Sequence, residues 1–595
     1  ISLLLSNLLI GHSVASKSCK CSPSDECWPS DDKWRLLNET LNGQLIRFVP
    51  PASVCYPSSS DYNKTACESV LENWSSFSFH SANPGSVVSP WTLGSCVPTY
   101  PNGTGVSGGA GTRAKGCSLG ALPSYIVNAT ETHHVQTAIK YASKWNLRLI
   151  VKNTGHDSYG RNTGSGSLSI WTHNLKGIEL SRDWLPQATN NTLDSTASVW
   201  AATLGAGVQD GELFNTLAQH NAIAVGGTNM DVGVVGWATG GGHGYMTGKY
   251  GMGADNILQA VVVTADGEVL TVNEHQHQDL FWAIRGGGGG TFGVIISVTL
   301  KAYPMPSMTM AGIRITARNE TTAEAFYNVI ARVHSLFPAI QDKGVSGYYT
   351  MGGPPSSQTL TLSGSLFLWN GSNETFFEVM QPIQQLLSKA NGTVASSIYT
   401  LPIPSFEYLL KNLPDMEHAS SDTSITASRL ITKQVVLNKT LELAETLQRI
   451  GPQATIPSGE IPNVSVSGTL TISRTPVDNA LNPAWREAVV HLVLSQSWNE
   501  SLSNARAKSI VRDMTYNKLN ALWQLDPASG AYLNEANAFE PGWQQSFFGR
   551  GYPRLYTIKD KYDPKRLFWC LKCVGSEDWV QQGDGRLCKV ENPYY

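Results

Sequence analysis

The sequence predicts an α+β fold spread over two or three globular units. Three observations carry this. The 595 residues, 41% of them hydrophobic, are ample for buried cores at ~100–200 residues per domain. Helical and strand-like periodicities alternate over residues 121 to 305. From about Pro304 onward, β-rich segments dominate and amphipathic helices are set between them.

Residues 17–120 are rich in Cys, Pro, Ser and Gly, show little periodicity, and end in a Gly-rich loop, so the regular fold is expected to begin after them. Thr130 is placed to cap a helix with Glu131 in its first turn, and Val135, Ile139, Ala142 and Trp145 recur at helical spacing. The apolar run 148–151 then reads as a buried strand. Further strands are predicted at 168–171, 198–204, 260–264 and 294–300, with helices at 211–220 and 277–284. Strands at 308–316, 345–351, 359–368, 464–473 and 489–497, with helices at 323–337, 376–390 and 438–450, predict an antiparallel sheet backed by helices.

A formal net charge of −3, with Lys and Arg scattered, offers no basic stripe for nucleic acid or an anionic membrane surface. Neither is expected as a partner. The short apolar run Leu3 to Ile10, followed by small residues at Val14, Ala15 and Ser16, fits a secretory signal whose first residues precede Ile1. Seven cysteines lie before residue 118 and three after 569, with none between, which predicts disulfides stapling the ends of a secreted chain. No metal site is expected, because an oxidising compartment removes the thiolates that Cys19-Lys20-Cys21 or Cys570 and Cys573 would supply. Thirteen Asn-X-Ser/Thr acceptors, at Asn38, Asn63, Asn73, Asn102, Asn128, Asn190, Asn319, Asn370, Asn373, Asn391, Asn438, Asn463 and Asn499, predict an N-glycosylated protein.

Three glycine-rich elements fall within 140 residues: Asn153 to Trp171, Val232 to Asn256 and Ile284 to Ile295. Glycine amides can wrap a pyrophosphate closely, so the three together predict a large phosphate-bearing ligand. Gly288, Gly290 and Gly293 satisfy GxGxxG, but that motif must leave a strand and open a helix. Here it leaves a predicted helix and enters a strand, which argues against a nicotinamide-type fold.

The segments LRLIVKNTGHDSYGRNTGSGSLSIWT, GGGHGYMTGKYGMGADNI, LFWAIRGGGGGTFGVI and AYLNEANAFEPGWQQSFFG, in this order, resemble the FAD-linked oxidases of the vanillyl-alcohol oxidase superfamily. More narrowly, the chain is similar to the berberine bridge enzyme-like branch and to secreted fungal isoamyl alcohol oxidase-type proteins. The resemblance implies a two-lobed FAD-binding domain of the PCMH type plus the antiparallel substrate domain. It divides the chain into a signal remnant (1–16), a Cys-rich region (17–120), the FAD-binding domain (121–305), the substrate domain (306–541) and a tail returning to the FAD domain (542–595).

The resemblance also implies residue roles. His156 would bond the flavin 8α-methyl through a ring nitrogen, with Asn153, Thr154, Gly155, Asp157, Ser158, Tyr159 and Gly160 around the cofactor. Relatives with a second, cysteinyl link carry it eleven residues before the GGG run, and that position is Asn229 here, so a single bond is expected. Val232 falls where relatives gate oxygen. Gly233, Gly236, Thr239, Gly240, Gly241, Gly242, Gly244, Gly293 and Val294 would line the flavin. His243 takes a substrate-facing position that is often Tyr, and His491, seven residues before Trp498, takes another. Tyr532, Leu533 and Asn534 match a Tyr-X-Asn-Tyr motif whose last Tyr is replaced by Glu535. Imidazole is a base matched to neutral pH, so His491 or His243, with Glu535 orienting or replacing them, would accept a proton from an alcohol.

The expected function is therefore a secreted monomeric oxidase that passes hydride from a CH–OH group to singly bonded FAD and electrons on to O2. The rivals are a flavoenzyme that oxidises C–N or closes a ring, and a flavin-binding surface protein without turnover.

Overall fold

The computed structural model describes residues 19–88, 94–186, 198–412, 423–455 and 461–590; the N-terminal signal segment and the Asn190 acceptor lie outside them. Strands Leu45–Arg47 (β1), Tyr125–Asn128 (β2), Leu149–Lys152 (β3) and Leu168–Trp171 (β4) form a sheet in the order β1-β2-β4-β3. β2 and β3 run parallel to β4, and β1 is antiparallel to β2. Helix Thr132–Lys144 lays Val135, Ala138, Ile139 and Ala142 against β2 to β4. Its N-cap is Glu131, one residue later than the sequence predicts, because the Thr130 hydroxyl is engaged with His134 Nδ1 at 3.3 Å.

Strands Ile178–Trp184 (β5), Val199–Gly205 (β6), Ala222–Ala224 (β7), Ile257–Val263 (β8), Val269–Asn273 (β9) and Val294–Pro304 (β10) form a second, antiparallel sheet, β5-β6-β10-β8-β9, with β7 on β10. Helix Gln278–Ile284 precedes the GxGxxG turn, and β10 follows it. The third sheet is built from Met308–Ala317 (β11), Val345–Gly352 (β12), Thr361–Trp369 (β13), Val394–Ile403 (β14), Thr423–Thr432 (β15), Ser465–Thr469 (β16) and Ala488–Trp498 (β17). Its order is β14-β11-β13-β12-β16-β17-β15, antiparallel throughout.

Helices Ala323–Gln341, Asn373–Lys389 and Thr440–Ile450 cover one face of this sheet, with Phe326, Ile330, Phe376, Ile383 and Leu447 among the fully buried core residues. Thr322 and Ser372 cap the first two by accepting from the amides of Ala325 and Thr375. Strand side chains alternate between faces. On β17, Val490, Leu492 and Leu494 pack into the helix-side core, and His491 faces the other way, opposite Leu430 and Thr469. That second face carries the site.

Three sequence expectations are corrected. Regular structure begins before residue 120: helices Asp31–Thr40, Lys64–Asn73 and Phe77–Ala82 were hidden by short length and Ser and Cys content, and β1 joins the first sheet. The helix expected over 438–450 is Thr440–Ile450, preceded by an unpredicted short helix Lys433–Asn438, and the strand expected over 464–473 ends at Thr469. Cys19–Cys588 joins the two ends; Cys21–Cys27, Cys55–Cys67, Cys96–Cys117 and Cys570–Cys573 each close a local loop. Beyond helix Tyr552–Tyr562, Leu567 and Phe568 enter the core around β3 and β4, fixed by the buried Lys559, whose Nζ donates to Asp563 and to the Phe568 carbonyl at 2.7 and 2.9 Å.

Candidate active site

The first glycine-rich element leaves the C-terminal end of β3. Gly155 has φ +97°, which a side chain would strain, and the turn presents His156. His156 Nε2 lies 2.9 Å from Asp231 Oδ2, and its ring stacks on Phe77 with centroids 4.5 Å apart. Asp231 is held in turn by Ser81 and Gln209, which donate to its Oδ1 at 2.8 and 2.6 Å. No hydrogen bond to His156 Nδ1 occurs among the described residues, so this nitrogen is the one left for a further partner. Lys152, buried beside the turn, donates to the carbonyls of His80, Asn83 and Asn153, and burial pulls its ammonium down to about 7.

The second element runs through the turn Asn229 to Val232, with Gly233 and helix Val234–Thr239, to the loop that carries His243. Asn153 Nδ2 donates to Ala206 O at 3.1 Å, and a Cβ on Gly233 would stand 2.3 Å from that Asn153 amide. Gly241 and Gly242 have φ +127° and +70°; the Trp237 indole packs where a Gly242 side chain would go and donates to the His243 carbonyl at 2.8 Å. The third element is tied to the second by the amides of Gly286 and Gly288, both donating to the Thr239 carbonyl at 3.0 Å. Gly293 sits against Val262, and Val294 opens β10.

These residues fit a flavin dinucleotide. Asn153 Oδ1 and the Tyr159 hydroxyl are buried without a partner. Gly236 faces open space, and Gly289, whose Cβ would stand 3.4 Å from Gly236 Cα, lies opposite it, so a side chain on either would fill the gap between the second and third elements. Thr154 is buried at 4% exposure, Ser158 follows in the same turn, and the Gly160 amide donates to the Asp157 carbonyl.

The five residues expected to be catalytic converge on the substrate sheet's open face. Glu535 stands between two imidazoles: its Oε1 lies 3.0 Å from His243 Nε2 and its Oε2 3.6 Å from His491 Nδ1. The two histidine rings are 5.6 Å apart, and Tyr532 packs edge-on against both. Burial would raise the Glu535 carboxyl, but His243, 3.0 Å away, outweighs it and holds it below the usual carboxylate range, so it is ionised. His491 has no solvent exposure, and burial lowers its imidazole to about 3 even with Glu535 nearby, so by itself it is a weaker base than the near-neutral imidazole the sequence predicts. It is neutral, and both of its ring nitrogens lack a hydrogen-bond partner. His243, by contrast, is engaged on both sides, with Nδ1 3.3 Å from the Tyr348 hydroxyl.

Asn534 Nδ2 donates to the Tyr532 hydroxyl at 2.9 Å, and Asn534 Oδ1 accepts from Arg161 at 3.0 Å. Arg161 is anchored on Asp157, so the turn bearing His156 is wired to the segment bearing Glu535 across 373 residues of chain. The sequence reading missed Asp231, Arg161, Tyr348, Thr471 and Trp485. Thr471 donates to the Tyr348 hydroxyl at 3.1 Å, and the Trp485 ring lies 5.4 Å from His491. Only the lone acid Asp231 in an otherwise apolar, glycine-rich stretch carried a local signal.

Comparison with known proteins agrees with this architecture. Residues 123–273 match the family described as FAD binding domain, and residues 531–574 match berberine and berberine like. The chain is 34% identical over 585 residues to the VAO-type flavoprotein oxidase VAO615 of Thermothelomyces thermophilus, covering 97% of this chain and 96% of that one. It is 33% identical to the FAD-linked oxidoreductase ZEB1 of Gibberella zeae, covering 99% and 98%. The crystal structure of the VAO-type flavoprotein MtVAO615 from Myceliophthora thermophila superposes with a TM-score of 0.85 at 31% identity, over 96% of this chain and all of that one. With its glycine-lined cleft and paired sheets accounted for, the chain belongs to the VAO-type, berberine-like family of FAD-linked oxidoreductases.

Proposed function

We propose that the protein is a secreted oxidase that oxidises an alcohol carbon on FAD bonded once, through His156 Nδ1, and returns the electrons to O2 as hydrogen peroxide. FAD supplies the two-electron chemistry, taking hydride from the carbon and passing electrons to oxygen. The observation that carries the reading is His491: a neutral imidazole with no exposure and two unpaired nitrogens, beside an ionised carboxylate.

A substrate hydroxyl that donates to His491 Nε2 would satisfy the buried acceptor. As its proton transfers, the Glu535 carboxylate 3.6 Å from Nδ1 stabilises the imidazolium that forms. His243, fixed between Glu535 and Tyr348, orients that carboxylate. Tyr532 and Trp485 wall the pocket and exclude water from the transfer. Asp231 on Nε2 leaves Nδ1 of His156 for the flavin bond, and Asn229 in place of a cysteine supports one bond instead of two.

Secretion is supported by five disulfides and by acceptor asparagines none of which is buried among the described residues. No helix among the described residues is long and apolar enough to cross a membrane. The test of the base is anaerobic flavin reduction by an alcohol substrate: His491→Ala is expected to slow it by roughly 10²–10⁴-fold. An unchanged rate would remove His491 from the chemistry.

A further inference from the structure

His243, His491 and Glu535 have a property that proton transfer does not need. One ligand-capable atom from each lies within 4.8 Å of the others. Glu535 reaches both rings, one carboxylate oxygen lying 3.0 Å from His243 Nε2 and the other 3.6 Å from His491 Nδ1. Zinc bonds of ~2.0–2.2 Å to nitrogen and oxygen at tetrahedral angles place ligand atoms about 3.3 Å apart, which is the range of these two carboxylate–imidazole contacts. Two imidazoles and one carboxylate also match the ligand set of zinc sites that keep a fourth position open.

His491 is buried, and its lone pair is not committed to any protein donor. The imidazole sits on β17, clamped between β15 and β16, which gives the site one rigid ligand, while His243 and Glu535 come from loops that can adjust. The ring orientation of His243 is fixed by Tyr348 at its other nitrogen, the arrangement that holds a metal-ligating histidine in the right tautomer. The other such cluster among the described residues, Cys21, Asp25 and Cys27, is not comparable, because its two sulfurs are joined in a disulfide.

We propose that His243, His491 and Glu535 form a binding site for a divalent transition cation of the zinc class, at the face where substrate is expected. This rests on the geometry of the three side chains; only its consequence rests on the proposed function. A bound cation takes the His491 lone pair that would accept the substrate proton, so cation and alcohol exclude each other and the cation regulates turnover.

The test uses the full-length, FAD-loaded protein, stripped with a chelator, equilibrated with zinc chloride at neutral pH and desalted. About one zinc per chain is expected to remain, zinc is expected to raise the unfolding temperature, and excess magnesium should not displace it. Glu535→Gln and His491→Gln should each weaken zinc binding by roughly 100-fold or more, the loss for a direct ligand being at least that of its supporting shell. Glu535 is partly exposed, so its variant is expected to keep the fold, as the flavin spectrum would show. No retained zinc, an unmoved unfolding temperature, or equal retention by both variants would overturn the proposal. Zinc is counted without turnover, so this result stands apart from whether any alcohol reduces the flavin.

Discussion

At the scale of single residues, the proposed function divides the site into groups that would hold the cofactor and groups that would meet the substrate. The two histidines expected to be chemically active differ in one respect that decides their roles: His156 has one nitrogen fixed by Asp231, and His491 has neither nitrogen fixed. His156→Ala is expected to release all flavin into the supernatant on acid precipitation, while the wild-type pellet stays yellow. Colour lost from the wild type would refute the covalent bond. Asp231→Asn keeps the volume but removes the carboxylate that holds Nε2, so covalent flavin content should fall with the fold intact, measured as the ratio of absorbance at the flavin band to that at 280 nm. These roles were legible only in part from the sequence. His156 and His491 could be placed by motif and spacing, but Asp231 lies 75 residues from the histidine it holds and Tyr348 lies 105 residues from His243. A pairing across such distances exists only once the sheets have formed.

At the scale of elements, strands with strong patterns were readable and short or shielded ones were not. The run 168–171 matched β4 to the residue, because four apolar-flanked positions buried on both faces leave no other reading. β14 and β15 escaped notice: β14 is an edge strand with exposed side chains along most of its length, and β15 alternates Thr and Ser with its buried positions. The glycine-rich elements were visible as composition, but which glycines are indispensable is a matter of packing. A Gly244 Cβ would stand 1.6 Å from the Gly226 carbonyl oxygen, backbone against backbone, so Gly244→Ala is expected to abolish soluble expression or lower the unfolding temperature sharply. Gly236 has ordinary helical surroundings and nothing within 4 Å. Gly236→Ala should therefore fold as well as the wild type yet carry less flavin, because the methyl enters the gap opposite Gly289. Equal flavin content in that variant would contradict the placement of the cofactor between the second and third elements.

At the scale of the whole molecule, the first and last cysteines close the chain on itself, and buried ionisable groups set its pH range. Burial lowers His80, His173 and His334 to about 4 and His491 to about 3, against ~6.5 in the unfolded chain. Between those limits the unfolded state binds more protons, so these four contribute stability that is complete above about pH 6.5 and lost as pH falls toward 4. Asp210 and Glu540, raised by burial to about 8 and about 7, act in the opposite direction but number two against four. Unfolding temperature is therefore expected to decline from pH 6.5 to pH 4, and a flat profile would contradict these burial states. The central claim, a flavin oxidase whose pocket is built to deprotonate an alcohol, is tested most directly by mixing the purified protein anaerobically with a series of primary and secondary alcohols and the corresponding amines while following the flavin absorbance, then admitting air. The account predicts that at least one alcohol bleaches the flavin and that air restores the colour with one peroxide formed per flavin; bleaching by amines alone, or by no member of the series, would contradict it.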